Sequence, residues 1–169
     1  VISVCVVGLL MTWANAHYLD QKERDLQWSK VNEAINKGLP QTAIKEIEPI
    51  IASALKDKDY PEAIKAIARK IAYEGMIQGN KPEERITRMK AEIAKAQKEM
   101  VPMMDAILAQ WYWHYFQQNR WRFMQRTATA AAPGEDFTTW DLPRLFQEID
   151  AQFTKALSHE KELAAIPTK

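Results

Sequence analysis

A chain of 169 residues is long enough for one domain with a proper core, and 47% apolar with 27% charged residues is a globular composition. A formal net charge of +1 offers no basic face of the kind a nucleic-acid partner needs. Five Gly against many Ala, Lys, Glu, Gln and Ile predict an all-α fold.

Residues Val1 to Trp13 form an uncharged apolar run, and Ala14-Asn15-Ala16 supplies small residues where a signal peptidase reads. Residues 1–16 therefore read as the apolar region and cleavage site of a secretory signal, with its basic n-region and initiator Met missing. The run is short for a transmembrane helix; an uncleaved anchor or a buried first helix is the alternative. The expected location is exported, periplasmic or at the cell surface. Cys5 is the single cysteine and lies in this segment. Val4 before it argues against a lipid-modified cysteine. Cleavage would leave a chain without disulfides or a cysteine nucleophile.

About six helices follow from apolar period and punctuation, within a helical domain over residues 17–157. The first spans Gln21 to Asn36, with Leu26, Val31 and Ile35 on one face. Gly38 suits the position just past its end, and Pro40 the first turn of the next. The second covers Pro40 to Lys56 with Ile44, Ile47, Ile51, Ala54 and Leu55 inward; Pro49 should bend it. The third runs from Pro61 to about Gln78, with Ile64, Ile67, Ile71 and Ala72 inward. The fourth runs from Pro82 to about Met100 on a narrow seam of Ile86, Met89, Ile93, Ala96 and Met100. Glu84–Arg88 and Lys95–Glu99 are its predicted i,i+4 pairs; its charged remainder reads as a solvated face.

The fifth helix starts near Pro102, reaches about Arg126, and carries the densest aromatic run of the chain: Trp111, Tyr112, Trp113, Tyr115, Phe116 and Trp121. Rings at this density are expensive to expose, so they are expected to be core, with Arg120, Arg122 and Arg126 packed against them. The competing reading is a stacking platform for glycan or peptide. Thr127 to Glu135 reads as a loop. The sixth helix covers Leu142 to Leu157, capped by Asp141, with Leu145, Phe146, Ile149, Phe153 and Leu157 as its buried stripe. Residues 158–169 are weakly periodic and read as a linker toward further domains. One internal echo stands out: Ala43-Ile44-Lys45-Glu46-Ile47 recurs as Ala63-Ile64-Lys65-Ala66-Ile67, twenty residues on. Helices joined by tight turns give antiparallel pairs, so stacked, TPR-like or solenoid-like pairs are the expected architecture. No complete tetratricopeptide signature is present.

Catalytic patterns are thin. His17, His114 and His159 lack metal-ligand spacing, and His114 among aromatics reads as a packed or hydrogen-bonded ring. No nucleophile elbow, phosphate loop or zinc-protease motif occurs, and no cofactor or metal is expected. Glu83-Glu84 falls in a helix's first turn, where the macrodipole favours negative charge without catalysis. Glu135 and Asp136 invite a glycosidase reading, but adjacent loop residues give no reason for the separation across a sugar that such chemistry needs.

Four strings occur in order: Gly38-Leu39-Pro40-Gln41-Thr42-Ala43, then Tyr112-Trp113-x-Tyr115-Phe116-Gln117-Gln118-Asn119-Arg120-Trp121, then Gln125-Arg126-Thr127, and finally Asp136-Phe137-Thr138-Thr139-Trp140-Asp141. In order and spacing the chain resembles the N-terminal helical region of large bacterial alpha-2-macroglobulin-like proteins, over about Trp28 to Leu157. The signature positions are Gly38, Leu39, Pro40, Trp111, Tyr112, Tyr115, Asn119, Arg120, Trp121, Arg126, Thr127, Trp140 and Asp141. The resemblance implies an exported broad-range endopeptidase inhibitor in which this helical part precedes β-sandwich domains. Proteases would then be partners of the downstream part, through cleavage of a bait segment, collapse and, in many members, a Cys–Gln thioester. The chain holds no recognisable bait region, no thioester motif and no cysteine beyond Cys5. The resemblance therefore implies a non-catalytic accessory module, with a protein or peptide partner possible on its helical surface.

Overall fold

The computed structural model describes residues 21–79, 81–126 and 134–164. Expectations for residues 1–20, with Cys5 and His17, and for Thr127 and the alanine loop, lie outside the described residues. Those described are helical without a strand: α1 (residues 21–36), α2 (Pro40–Lys56), α3 (Tyr60–Ile77), α4 (Pro82–Lys95), α5 (Val101–Met124), α6 (Leu142–Leu157) and α7 (Glu160–Ala164). A short 3-10 turn, Phe137–Thr139, precedes α6, and α7 lies in the stretch read as weakly periodic. The architecture is all-α with packed helix pairs. No described helix is long and apolar enough to cross a membrane. The chain forms two compact units that divide between Ile77 and Gln78.

In the first unit the twenty-residue echo is an echo of turns. Gly38 adopts φ 70° and Lys58 adopts φ 58°, so the same left-handed step ends α1 and α2. Gly38 N–H donates to the Ile35 carbonyl and Leu39 N–H to the Ala34 carbonyl, each at 2.9 Å. Lys58 and Asp59 repeat this pattern on Leu55 (3.3 Å) and Ala54 (2.8 Å). These bonds satisfy carbonyls that a helix end would otherwise orphan, and they reverse the chain. Ala43 and Ala63 then occupy equivalent buried positions in the first turns of α2 and α3.

The core of this unit takes Trp28, Val31 and Ala34 from α1, Ala43, Ile47 and Ile50 from α2, and Ala66 and Tyr73 from α3. Leu26, expected inward, is 60% exposed, and Ile35 only half-buried. The inward face of α1 is rotated to Arg24, Trp28 and Val31 because polar bonds hold it there. Buried Arg24 donates to Asp57 at 2.7 Å, to Asp59 at 3.4 Å and to Ser53 at 3.1 Å. Gln27 donates to the Glu46 carbonyl at 3.0 Å and to its carboxylate at 2.7 Å. A Lys70–Glu48 ion pair at 2.5 Å ties α3 to α2. Helix α2 runs through Pro49, which is exposed.

In the second unit α4 stops at Lys95, short of the expected Met100, and Ala96 turns extended at ψ 154°. The chain must reverse before Pro102, whose ring fits only the first turn of α5. Lys95 consequently pairs backward with Glu92 at 3.0 Å rather than forward with Glu99, while Glu84–Arg88 stands at 3.9 Å as predicted. The Asp141 carboxylate caps α6 by accepting from Arg144 N–H at 2.9 Å. Leu145, Ile149, Gln152 and Ala156 face inward on α6, whereas Phe146, Phe153 and Leu157 are exposed. The expected stripe is thus split. The helix carries two adjacent apolar rows, and only one meets the core.

Candidate functional site

Helix α5 sorts its aromatic run by face. Tyr112, Tyr115, Phe116 and Phe123 are buried, Trp111 is half-buried, Trp113 is 37% exposed and Trp121 76% exposed. The expectation that these rings are all core filler therefore fails for Trp113 and Trp121. A helix apolar on nearly every side has more ring surface than its neighbours cover.

The buried rings fasten the 3-10 turn against α5. Phe137 sets its edge against Tyr112 (5.4 Å, 86°) and Tyr115 (5.3 Å, 81°), and Trp140 stacks on Tyr112 at 6.4 Å. The Arg126 guanidinium donates to the carbonyls of Trp140 (2.6 Å) and Thr138 (2.8 Å). Arg122 donates to the Tyr115 hydroxyl at 2.7 Å and to the Thr138 carbonyl at 3.2 Å. The Trp140 indole N–H reaches the Gly134 carbonyl at 2.6 Å, and Arg144 lies over the Trp140 ring at 4.3 Å. Asn119 donates back to the Tyr115 carbonyl at 2.9 Å. Four of the signature positions, Tyr112, Tyr115, Arg126 and Trp140, thus converge in one aromatic and guanidinium knot, with Asp141 at its edge. Arg120, which is exposed, and Trp121, which is 76% exposed, lie outside it. Gly38, Leu39 and Pro40 belong to the first unit.

Burial raises the hydroxyl pKa of Tyr112, with Glu148 adding to the rise and Arg144 opposing it. Burial also raises that of Tyr115, against the pull of Arg122. No described protein group bonds to the Tyr112 hydroxyl.

The acidic residues near the knot are engaged or open to solvent. Asp136 accepts from Thr138 N–H at 2.9 Å and from its hydroxyl at 2.7 Å, and these bonds hold its carboxyl below the ordinary range. Glu135 lines a polar cavity of about 370 Å³ with Lys90, Gly134, Trp140, Arg144 and Glu148. There Arg144 and Glu148 pair at 3.2 Å. Glu84 meets Lys81 at 3.7 Å. His114 is exposed and bonds to Gln110 at 3.0 Å. Among the described residues no cluster of His, Cys, Asp or Glu is placed to hold a metal.

A second depression, about 590 Å³, opens between α5 and α6. Trp113, Phe116 and Met124 form one wall and Leu142 and Phe146 the other, with Gln117 and Arg120 as the polar groups. Phe146 meets Phe116 edge-on at 4.8 Å and lies 6.4 Å from Trp113. Arg120 pairs with no other described residue. The sequence reading assigned Phe146 to the core and so missed this groove. The available signal was the width of the α6 stripe, which one packing partner cannot cover. The buried Arg24 network and the Trp28–Glu62 bond were missed as well.

No family model, no curated protein and no solved structure matches the chain.

Proposed function

We propose that this chain is a non-catalytic helical module, the N-terminal part of an exported macroglobulin-like broad-range endopeptidase inhibitor, serving structure and interaction. The observation that carries the interaction role is the open α5–α6 groove, where Trp113, Met124 and Phe146 stay in contact with solvent. Large apolar side chains clustered at a surface mark places where another molecule sits. The inhibitor part of the reading rests on the four ordered strings. The knot of Tyr112, Tyr115, Arg126 and Trp140 gives those residue types a reason to occur together. Protease capture then belongs to domains beyond Lys169, and the helices position them or recruit a further protein.

The test is the reading frame past Lys169 and the protein it encodes. The expected frame continues into β-rich domains, and the full-length product inhibits several unrelated endopeptidases. A stop codon soon after Lys169 would remove the inhibitor reading. The groove also favours a second reading, a free-standing periplasmic TPR-like scaffold for a protein or peptide. An intact chain ending near Lys169, with partner binding lost on Trp113 substitution and folding kept, would establish that one.

A further inference from the structure

We propose that the α5–α6 groove seats an amphipathic α-helix of a protein partner, with a carboxylate of that helix bound to Arg120. The proposal rests on the interaction-module reading and names the occupant. Three observations carry it. First, the apolar surface continues along one line of α6, through Leu142, Phe146, Phe153 and Leu157 at i, i+4, i+11 and i+15. These side chains are exposed or half-exposed along a helix of 16 residues, roughly 24 Å at the helical rise. Leu142 and Phe146 wall the groove, and Phe153 and Leu157 carry the row on along the exposed face of α6; a row of that length matches the ridge of a second helix better than a compact ligand.

Second, Arg120 is an exposed guanidinium without a partner among the described residues, set beside Trp113, Phe116 and Met124. Apolar walls make a carboxylate–guanidinium bond stronger than it would be in open water, and the planar fork matches a carboxylate. The charge complement of the groove is therefore one acidic group near its Arg120 end. Third, the polar inventory is poor. Among the described residues, Gln117 and Arg120 are the only polar side chains lining the groove. A saccharide needs several directed polar contacts around each ring, so a peptide is the better fit than a glycan.

The experiment uses the whole chain and two fluorescently labelled peptides of about 18 residues, long enough to span α6. Both consist of Leu, Ala, Lys and Glu with one Leu ridge. In the first a Glu ends the ridge; in the second that Glu is exchanged with a Lys from the far face, so net charge is unchanged. Anisotropy titrations should show the first peptide binding wild type at least about tenfold more tightly than the second, with Arg120→Glu inverting the order, since charge reversal at a contact changes partner choice. Phe146→Ala should weaken both peptides alike. Both substitutions alter exposed side chains, and far-UV circular dichroism checks that helix content is kept. No binding of the first peptide, equal binding of the two, or indifference to Arg120→Glu overturns the proposal. So does binding of an N-acetylglucosamine tetrasaccharide in the groove, lost in Trp113→Ala, when neither peptide binds. If the peptides fail while the frame beyond Lys169 encodes an inhibitor, only the occupant is refuted and the module reading stands.

Discussion

The indole N–H of Trp28 donates to a carboxylate oxygen of Glu62, and both side chains are buried. The other Glu62 oxygen takes Lys65 at 3.2 Å, and the same ammonium lies over the Trp28 ring at 4.6 Å. One tryptophan thus fastens α1 to the first turns of α3 through an acceptor and a cation at once. Trp28→Phe keeps most of the ring volume but strands a buried acceptor, so it should cost about 1–3 kcal/mol. Glu62→Gln keeps an acceptor for the indole and should cost less. Urea midpoints compare the two, and an equal or larger loss in Glu62→Gln would refute the role given to the indole bond.

Lys58 occupies a left-handed conformation that its Cβ disfavours. Lys58→Gly should stabilise the chain, by about 1 kcal/mol or somewhat less once the added freedom of the unfolded glycine is set against it. Gly38→Ala, at the equivalent turn, should destabilise by about 1 kcal/mol. Nothing lies within 4 Å of a Cβ built on Gly38, so that effect is one of backbone conformation alone. Thermal melts decide both, and a destabilised Lys58→Gly would show the turn assignment to be wrong.

Two neighbouring tyrosines should respond oppositely to loss of their hydroxyls. Tyr115→Phe breaks the Arg122 bond and should cost about 0.5–1.5 kcal/mol. Tyr112→Phe removes a hydroxyl that no described protein group accepts or donates to, and should be neutral or slightly stabilising. Tyr112→Ala, which empties the centre of the knot, should cost about 3–5 kcal/mol. Denaturant unfolding of the three variants is the check, with Tyr112→Phe the decisive member.

Asp105 is buried on α5, and burial raises its carboxyl pKa against the opposing pull of Lys155 and His159. A raised folded-state pKa means the group contributes stability below its unfolded value of about 3.9, and this is lost as pH rises through the folded value. The ionised carboxylate is therefore unfavourable at neutral pH. Asp105→Asn should be more stable than wild type near about pH 7, with the difference shrinking toward about pH 3. A gain that grows on acidification would contradict the sign.

Capping at α6 is local enough to test alone. Asp141→Ala should cost about 1 kcal/mol, because the Arg144 amide loses its acceptor. Asp141→Asn should recover most of it. Helix-specific loss of circular dichroism at intermediate temperature is the readout.

What the sequence made legible follows from how local each signal is. The bounds of α2 and α6, the glycine past α1 and the Asp141 cap depend on residues within one turn, and all lie where they were expected. Choice of face was harder. Arg24 stands among Lys22, Glu23 and Asp25 and looks solvated; only Asp57 and Asp59, more than thirty residues away, draw it inward and turn Leu26 out. Phe146 and Phe153 were misassigned for a related reason. Hydrophobicity says that a side chain prefers burial, but only the number of neighbouring elements says whether there is room. The aromatic knot was half legible, since the ring density of the fifth helix predicts a packed cluster with arginines against it. The parts played by Arg126 and Arg122 depend on carbonyls of the 3-10 turn, which no side-chain pattern announces.

Among the described residues, each compact unit buries one indole, Trp28 in the first and Trp140 in the second, while Trp121 is bathed in water. The chain therefore carries its own optical labels. With the other tryptophans replaced by phenylalanine, a red shift from Trp28 alone or from Trp140 alone reports the melting of one half at a time. Superimposed curves would mark a single cooperative block, and separated curves two halves joined in sequence but independent in stability.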